Sequence, residues 1–295
     1  MNTAGLLRLL VLGAIWGGSF AIQRVVVPVL GPATTASVRL LIGGGILLCF
    51  FQLTRGPKLE FRKHWRIYSI IGVVNSGVPF LLFAFSANHI PAAYSAVLNS
   101  LTPLLAMIIS AVLLRQKTEP VQWLGAVIAT MGVSLIVGLG PMKMTPITWV
   151  AVVACAIAAA CYAAAGLYMK RHATHLNPYC IAAASQLAAA AFLVVPVAIA
   201  PPPQIPSSFV IGLALVLGVF CSGIAYLLYF RIVADTTPVF AMSVTFLIPV
   251  FGAVWARIFL REPLTETMLA GCAIVVAGTV LVLRKRPRLS NSPVR

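Results

Sequence analysis

Gly72-Val73-Val74-Asn75-Ser76-Gly77-Val78-Pro79-Phe80-Leu81-Leu82 is answered 146 residues later by Gly218-Val219-Phe220-Cys221-Ser222-Gly223-Ile224-Ala225-Tyr226-Leu227-Leu228. The same ungapped offset carries Leu101-Thr102-Pro103 onto Leu247-Ile248-Pro249 and Arg115 onto Arg261. It also carries Gly125, Ile128, Gly132 and Leu135 onto Gly271, Ile274, Gly278 and Leu281. Apolar segments match one another by chance. One offset held through two apolar segments, a basic break and a third segment reads instead as a duplication, with a period far above that of solenoid repeats.

Working outward, 61% of the 295 residues are hydrophobic and only 9% are charged. Soluble domains carry about 25% charged residues, so most of this surface faces lipid and the chain reads as a polytopic membrane protein. Backbone inside lipid must satisfy its own hydrogen bonds, and apolar runs of this length therefore predict an all-α bundle. The net charge of +16 does not indicate nucleic acid, because the basic residues cluster at the ends of apolar segments instead of lining one face. All six cysteines, Cys49, Cys155, Cys161, Cys180, Cys221 and Cys272, fall inside apolar segments. They read as small packing residues, with neither a disulfide framework nor metal-ligand spacing. The first apolar segment follows a short basic start at Arg8 but aligns with an internal segment of the second half, so it reads as a retained helix and not a signal peptide.

A hydrocarbon core of about 30 Å needs roughly 20 apolar residues per helix. That ruler predicts ten spans, at 6–27, 34–53, 67–87, 92–114, 121–139, 147–169, 178–199, 208–230, 239–259 and 267–283. With the N-terminus in the cytoplasm, sixteen Lys and Arg residues collect on the cytoplasmic side. They include Arg8, Arg55, Lys58, Arg62, Lys63, Arg66, Lys117 and the tail from Arg284. Four face outward (Arg24, Lys143, Arg257 and Arg261), and Arg39 lies within a span. The positive-inside rule then places both termini in the cytoplasm. Each half holds five spans, an odd number, so residues 1–144 and 145–295 form inverted repeats, the second with a basic cytoplasmic tail. Secondary transporters of this build bind substrate near the midplane, where the repeats meet.

Polar residues in a bundle tend to face inward. In the first span Trp16, Ser19, Phe20 and Gln23 share a face, as a packing seam or a cavity wall; Gln23, near the outer end, also fits an interface marker. In the third, Asn75-Ser76-Gly77-Val78-Pro79 predicts a loosened helix, because Pro79 lacks an N–H and clashes with the Asn75 carbonyl. Ser95, Asn99 and Thr102 fall at i, i+4 and i+7 before Pro103, and Thr245 and Pro249 stand at the repeat positions of Asn99 and Pro103. Polar groups beside proline breaks in both halves point to a substrate path, with a packing kink and interhelical polar contacts as the other readings. Ser222, Tyr226 and Tyr229 share a face of the eighth span and Tyr162 lies in the sixth; such aromatic faces suit a pocket for a small amphipathic solute or simple packing, and Tyr94 joins Trp16, Tyr162 and Tyr226 as an apolar wall. Trp255 fits an interfacial belt. Arg39 at mid-span would cost about 2.5–3.5 kcal/mol on insertion scales, and it fits both structural anchoring and anion contact. Gly125 and Gly132, mirrored by Gly271 and Gly278, allow close backbone approach and mark the fifth and tenth spans as scaffold.

All five acids, Glu60, Glu119, Asp235, Glu262 and Glu266, fall at helix ends or loops, which gives proton coupling through a membrane carboxylate no support. No G-x-x-x-x-G-K-[ST] loop is present, so no ATPase engine is expected. Ser76-Gly77 and Ser222-Gly223 lack a histidine base at membrane depth, so no catalytic residue, cofactor or metal is expected.

At Ala14-Ile15-Trp16-Gly17-Gly18-Ser19-Phe20, Arg39, Leu101-Thr102-Pro103, Gly125…Gly132 and Leu260-Arg261-Glu262-Pro263-Leu264, the chain resembles the drug/metabolite transporter superfamily, in its ten-helix branch with two EamA-type repeats. The resemblance covers residues 6–284. It departs where the family's Leu-Gly-Glu ending of the fourth helix reads Leu114-Arg115-Gln116, and where the second copy has Arg261 before Glu262. It implies metabolite transport at the bacterial cytoplasmic membrane, often export, and is nearest to amino-acid exporters, aromatic ones included. The expected partners are an amino acid or similar metabolite and membrane lipid, without nucleic acid; a monomer suffices, and no oligomeric state follows from the residues. The expected mechanism is alternating access around Asn75, Asn99 and Thr245, with Pro79, Pro103 and Pro249 as hinges. The alternatives are another metabolite or drug class, or a membrane-embedded enzyme or scaffold.

Overall fold

The computed structural model describes residues 3–54, 59–113, 115, 118–139, 142–235, 241 and 243–283, with 137–139 and 283 in backbone only. Arg55, Lys58, Leu114, Gln116, Lys117 and the tail from Arg284 lie outside the described residues. Ten apolar helical spans run through the described residues. They are Thr3–Leu30, Pro32–Leu53, Phe61–Ala87, Ala92–Val112, Pro120–Leu139, Pro146–His172, Pro178–Ile199, Ser208–Asp235, Val244–Leu260 and Glu266–Leu283. Seven are long and apolar enough to cross a membrane, and the fifth, ninth and tenth are shorter apolar helices. The first, third, sixth and eighth spans overrun the apolar ruler at one or both ends. Helical hydrogen bonding does not stop where hydropathy does, and Phe61-Arg62-Lys63-His64-Trp65-Arg66 continues as helix beyond the apolar run.

The duplicated stretch takes the same backbone form in both copies. Val73–Gly77 and Val219–Ile224 are single π-helical turns inside the third and eighth spans. In the first, the Val78 N–H reaches back five residues to Val73 O, and Pro79 offers Asn75 no N–H. In the second, the Ala225 N–H goes to Phe220 O, so Cys221 O, the repeat counterpart of Asn75 O, also loses its helical donor. The Trp16 indole N–H takes its place at 3.1 Å, and Gln186 Nε2 donates to the adjacent Ser222 O at 3.1 Å. In the second copy side-chain donors thus meet the loosened backbone, as buried backbone in lipid requires.

Helices in lipid gain little from apolar burial against one another, so close approach through small residues sets the packing. A Cβ on Gly125 would stand 2.6 Å from Gly278 O, and one on Gly278 would stand 2.6 Å from Gly125 O. Gly132 and Gly271 meet in the same reciprocal way, at 2.9 and 3.0 Å from each other's carbonyl. This is the contact pattern of a pseudo-two-fold axis. Gly72 packs its third span onto Ser185 O of the seventh, and Gly43 packs the second onto Ser222 of the eighth.

Contacts between span ends follow the alternation of ten crossings. On one face Arg8 pairs with Asp235, and the His64 and His175 rings lie 5.5 Å apart. On the other, Arg24 donates to Ala87 O, Gln204 N to Val29 O, and the Ala92 N–H to the Glu262 carboxylate at 2.9 Å. Arg115 and Arg261, where the resembling family has glycine, both hold left-handed backbone at φ 48° and 55°. That conformation costs a side-chain-bearing residue about 1–2 kcal/mol.

Candidate functional site

Between the two repeats lies a cavity of about 310 Å³, walled by every span except the fifth and tenth. Its lining obeys the duplication. Trp16 and Tyr162, Gln23 and Met169, Arg39 and Ser185, Phe80 and Tyr226, Phe83 and Tyr229, Asn99 and Thr245, and Thr102 and Ile248 are pairs at the 146-residue offset, and both members of each pair line it. Ring contacts repeat as well, with Trp16 5.8 Å from Tyr229 and Tyr162 6.2 Å from Phe83. The cavity therefore straddles the pseudo-two-fold axis.

Of the residues singled out from sequence, Trp16, Ser19, Arg39, Asn75, Asn99, Tyr162, Tyr226 and Thr245 line this cavity. Ser76 and Ser222 are buried behind the wall, and Ser222 Oγ accepts from Arg39 Nε at 2.8 Å. Tyr94 and Ser95 are placed elsewhere. Tyr94 is buried in the apolar core, and Ser95 faces Cys155 of the sixth span, whose thiol lies 3.9 Å away. The fourth span breaks at Ser100–Leu101, where Thr102 Oγ1 donates to Asn99 O at 2.8 Å. Ser95 shares the unbroken Ala92–Asn99 helix with Asn99 but lies one turn nearer its outer end, where Cys155 covers it, so Asn99 and Thr102 reach the cavity while Ser95 does not.

None of Pro79, Pro103 and Pro249 lines the cavity, although each adjoins a lining residue, Phe80, Thr102 or Ile248. Pro79 follows its π turn, Pro103 opens the helix that resumes after the break, and Pro249 sits inside the ninth helix. Gln23 is 3% exposed and faces the cavity rather than marking an interface; its place on the Trp16 face was the signal. Ser185, Met169, Phe80 and Phe83 carry no motif, but each is the repeat counterpart of a residue that stands out more. Trp255 is not merely a belt residue, since its indole N–H donates to Ala14 O at 2.9 Å and its ring covers Gly18.

Arg39 is the electrostatic centre of the wall. It is 7% exposed, and its guanidinium carbon lies 4.0 Å above the Phe80 ring centroid. Among the described residues no carboxylate pairs with it. Among the described residues the other lining side chains supply amides, hydroxyls, a thioether, rings and aliphatic surface, without His, Cys, Asp or Glu.

Residues 3–138 and 149–284 each match the EamA-like transporter family. An uncharacterized transporter of Bacillus subtilis, YvbV, is 28% identical over 291 residues, covering 96% of this chain and 92% of that protein. The threonine/homoserine exporter RhtA of Escherichia coli K12 is 27% identical over 293 residues, covering 96% and 93%. Protein PecM of Dickeya dadantii is 25% identical, covering 91% and 88%. One solved crystal structure superposes with a TM-score of 0.69 at 18% identity, covering 95% of this chain and 96% of that one, a likeness of fold alone.

Proposed function

The chain belongs to the EamA-like transporter family, and from that premise we propose that it is a secondary transporter exporting amino acids or related small metabolites by alternating access. The repeats, divided as 1–144 and 145–295, rock about the shared cavity, with Pro79, Pro103 and Pro249 as the flexing points. Asn75, Asn99 and Thr245 supply hydrogen bonds, while Trp16, Tyr162 and Tyr226 form the apolar walls. We place the protein in a bacterial inner membrane with both termini cytoplasmic, as its Lys and Arg distribution supports.

The observation that carries this reading is the cavity itself. Its volume of about 310 Å³ falls at the small end of ligand sites, matched to a solute of amino-acid size, and its lining is built from paired positions of the two repeats. A relative named as a threonine/homoserine exporter supports the same substrate class. In proteoliposomes, purified protein is expected to accelerate flux of labelled amino acids, with threonine and homoserine tested first. Absence of flux for every amino acid, alongside clear flux of another solute, overturns the substrate assignment.

A further inference from the structure

Arg39 is a charge without a counter-charge. Its Nε is engaged by Ser222 Oγ at 2.8 Å, and one face of its plane rests on Phe80. The Ser222 position is itself held, because Gln186 Nε2 donates to Ser222 O at 3.1 Å. The terminal NH2 groups donate to no protein atom among the described residues, although the side chain is more than nine-tenths buried on the cavity wall. A hydroxyl acceptor and a ring face orient a guanidinium but do not neutralise it. A buried cation is costly unless an anion meets it, and a planar fork with its ends free suits a carboxylate bidentately.

No comparable provision exists for a cation. Among the described residues the cavity lining contains no Asp or Glu, so an ammonium group would rely on aromatic faces such as Trp16 and Tyr226 and on the amides of Asn75 and Asn99. The repeat counterpart of Arg39 is Ser185, so the wall carries one positive charge on one side only. A single cation balances a single negative charge, whereas a phosphate dianion would leave one charge unmet in a low-dielectric site.

Resting on the transporter reading above, we propose that Arg39 is the carboxylate-binding residue and that the carboxylate is the recognised charge. The substrate class is the monocarboxylates, α-amino acids included, with the amino group dispensable. Decarboxylated amines are not ligands.

Binding to the detergent-solubilised full-length chain tests this, by calorimetry and thermal stabilisation, with three sets of probes. The sets are threonine, 3-hydroxybutanoate and 1-amino-2-propanol; leucine, 4-methylpentanoate and 3-methylbutylamine; and phenylalanine, 3-phenylpropanoate and 2-phenylethylamine. In at least one set the amino acid and its deaminated acid should bind within about tenfold of each other, and the amine about tenfold or more weaker than either, as loss of a charge-assisted bidentate pair implies. Arg39→Gln should remove that preference. Arg39→Lys should keep part of it, and Ser222→Ala should weaken acid binding by less than Arg39→Gln does. If Arg39→Gln does not fold, the wild-type probe sets and the other two variants decide the matter. An amine that binds as tightly as its acid, failure of every acid to bind, or a folded Arg39→Gln protein with wild-type preference overturns the proposal. Acid binding without amino-acid flux would instead count against amino acids as cargo, leaving the role of Arg39 standing.

Discussion

The two walls of the cavity share positions but not chemistry. The first-repeat wall presents Gln23, Arg39 and Asn99; the corresponding second-repeat positions present Met169, Ser185 and Thr245. Aromatic positions are kept on both sides, as Trp16 and Tyr162, and as Phe80 and Phe83 against Tyr226 and Tyr229. Shared positions put equivalent residues of the two inverted halves around one space. Divergent chemistry makes that space directional, with charge and amide on one wall and softer groups on the other. Away from the cavity, the seam between the fifth and tenth spans keeps its glycine pairs in both halves, because there only close approach matters.

The symmetric seam is the easiest part to break. Gly278→Leu, whose Cβ would stand 2.4 Å from Ala129 N, should abolish recovery of monodisperse protein in size-exclusion chromatography. Gly125→Leu should do the same from the other side, since both meet backbone that cannot move away. Gly212→Ala, with nothing within 4 Å, should leave recovery unchanged; equal behaviour of all three would refute close packing as the cause.

The Trp16–Tyr162 pair sharpens the comparison next. Trp16→Phe leaves Cys221 O without its donor, which should cost about 1–3 kcal/mol, read as a lower Tm. Tyr162→Phe removes a hydroxyl that bonds to no protein atom among the described residues, so it should leave Tm nearly unchanged while altering substrate KM. Equal losses of stability would show that the indole N–H is not what holds the second π turn.

Gln23 against Met169 gives a smaller effect. Gln23→Met makes this paired position apolar on both sides and loses one hydrogen bond to Ser19 O, worth about 0.5–1.5 kcal/mol, with a several-fold rise in transport KM. Met169→Leu is expected to be near neutral. The reverse order of effects would place the polar contact on the second wall.

Smallest is a gain. Arg261→Gly relieves a left-handed residue and should raise stability by up to about 1 kcal/mol, the strain relief partly offset by the freer unfolded chain. Arg115→Gly should act alike, and a fall in Tm at either position would mean that the arginine side chain stabilises its turn by more than the strain.

How far the site could be read beforehand depended on helix face and on depth along the helix. Trp16, Ser19 and Gln23 reach the cavity together because the first span is unbroken there, so periodicity in sequence is periodicity in space. Ser95 and Tyr94 fail although they share an unbroken helix with Asn99: they lie at least one turn nearer its outer end, where Cys155 covers Ser95 and the apolar core encloses Tyr94. Phe80, Phe83 and Ser185 were invisible as motifs, since a phenylalanine or serine in an apolar run says nothing of its direction. The repeat offset applied to Tyr226, Tyr229 and Arg39 would have found them.

The residues alone determined the solvent, the ten spans, the duplication and its inversion. Each of these follows from local quantities: hydropathy summed along a helix length, an odd number of crossings, and identity at a constant offset. Only the tertiary structure decided that Arg39 reaches Ser222 across 183 positions of chain, that Trp16 supports the second π turn from the first span, and that no carboxylate among the described residues accompanies the buried guanidinium. Those are relations between distant segments, set by which glycines let which helices touch.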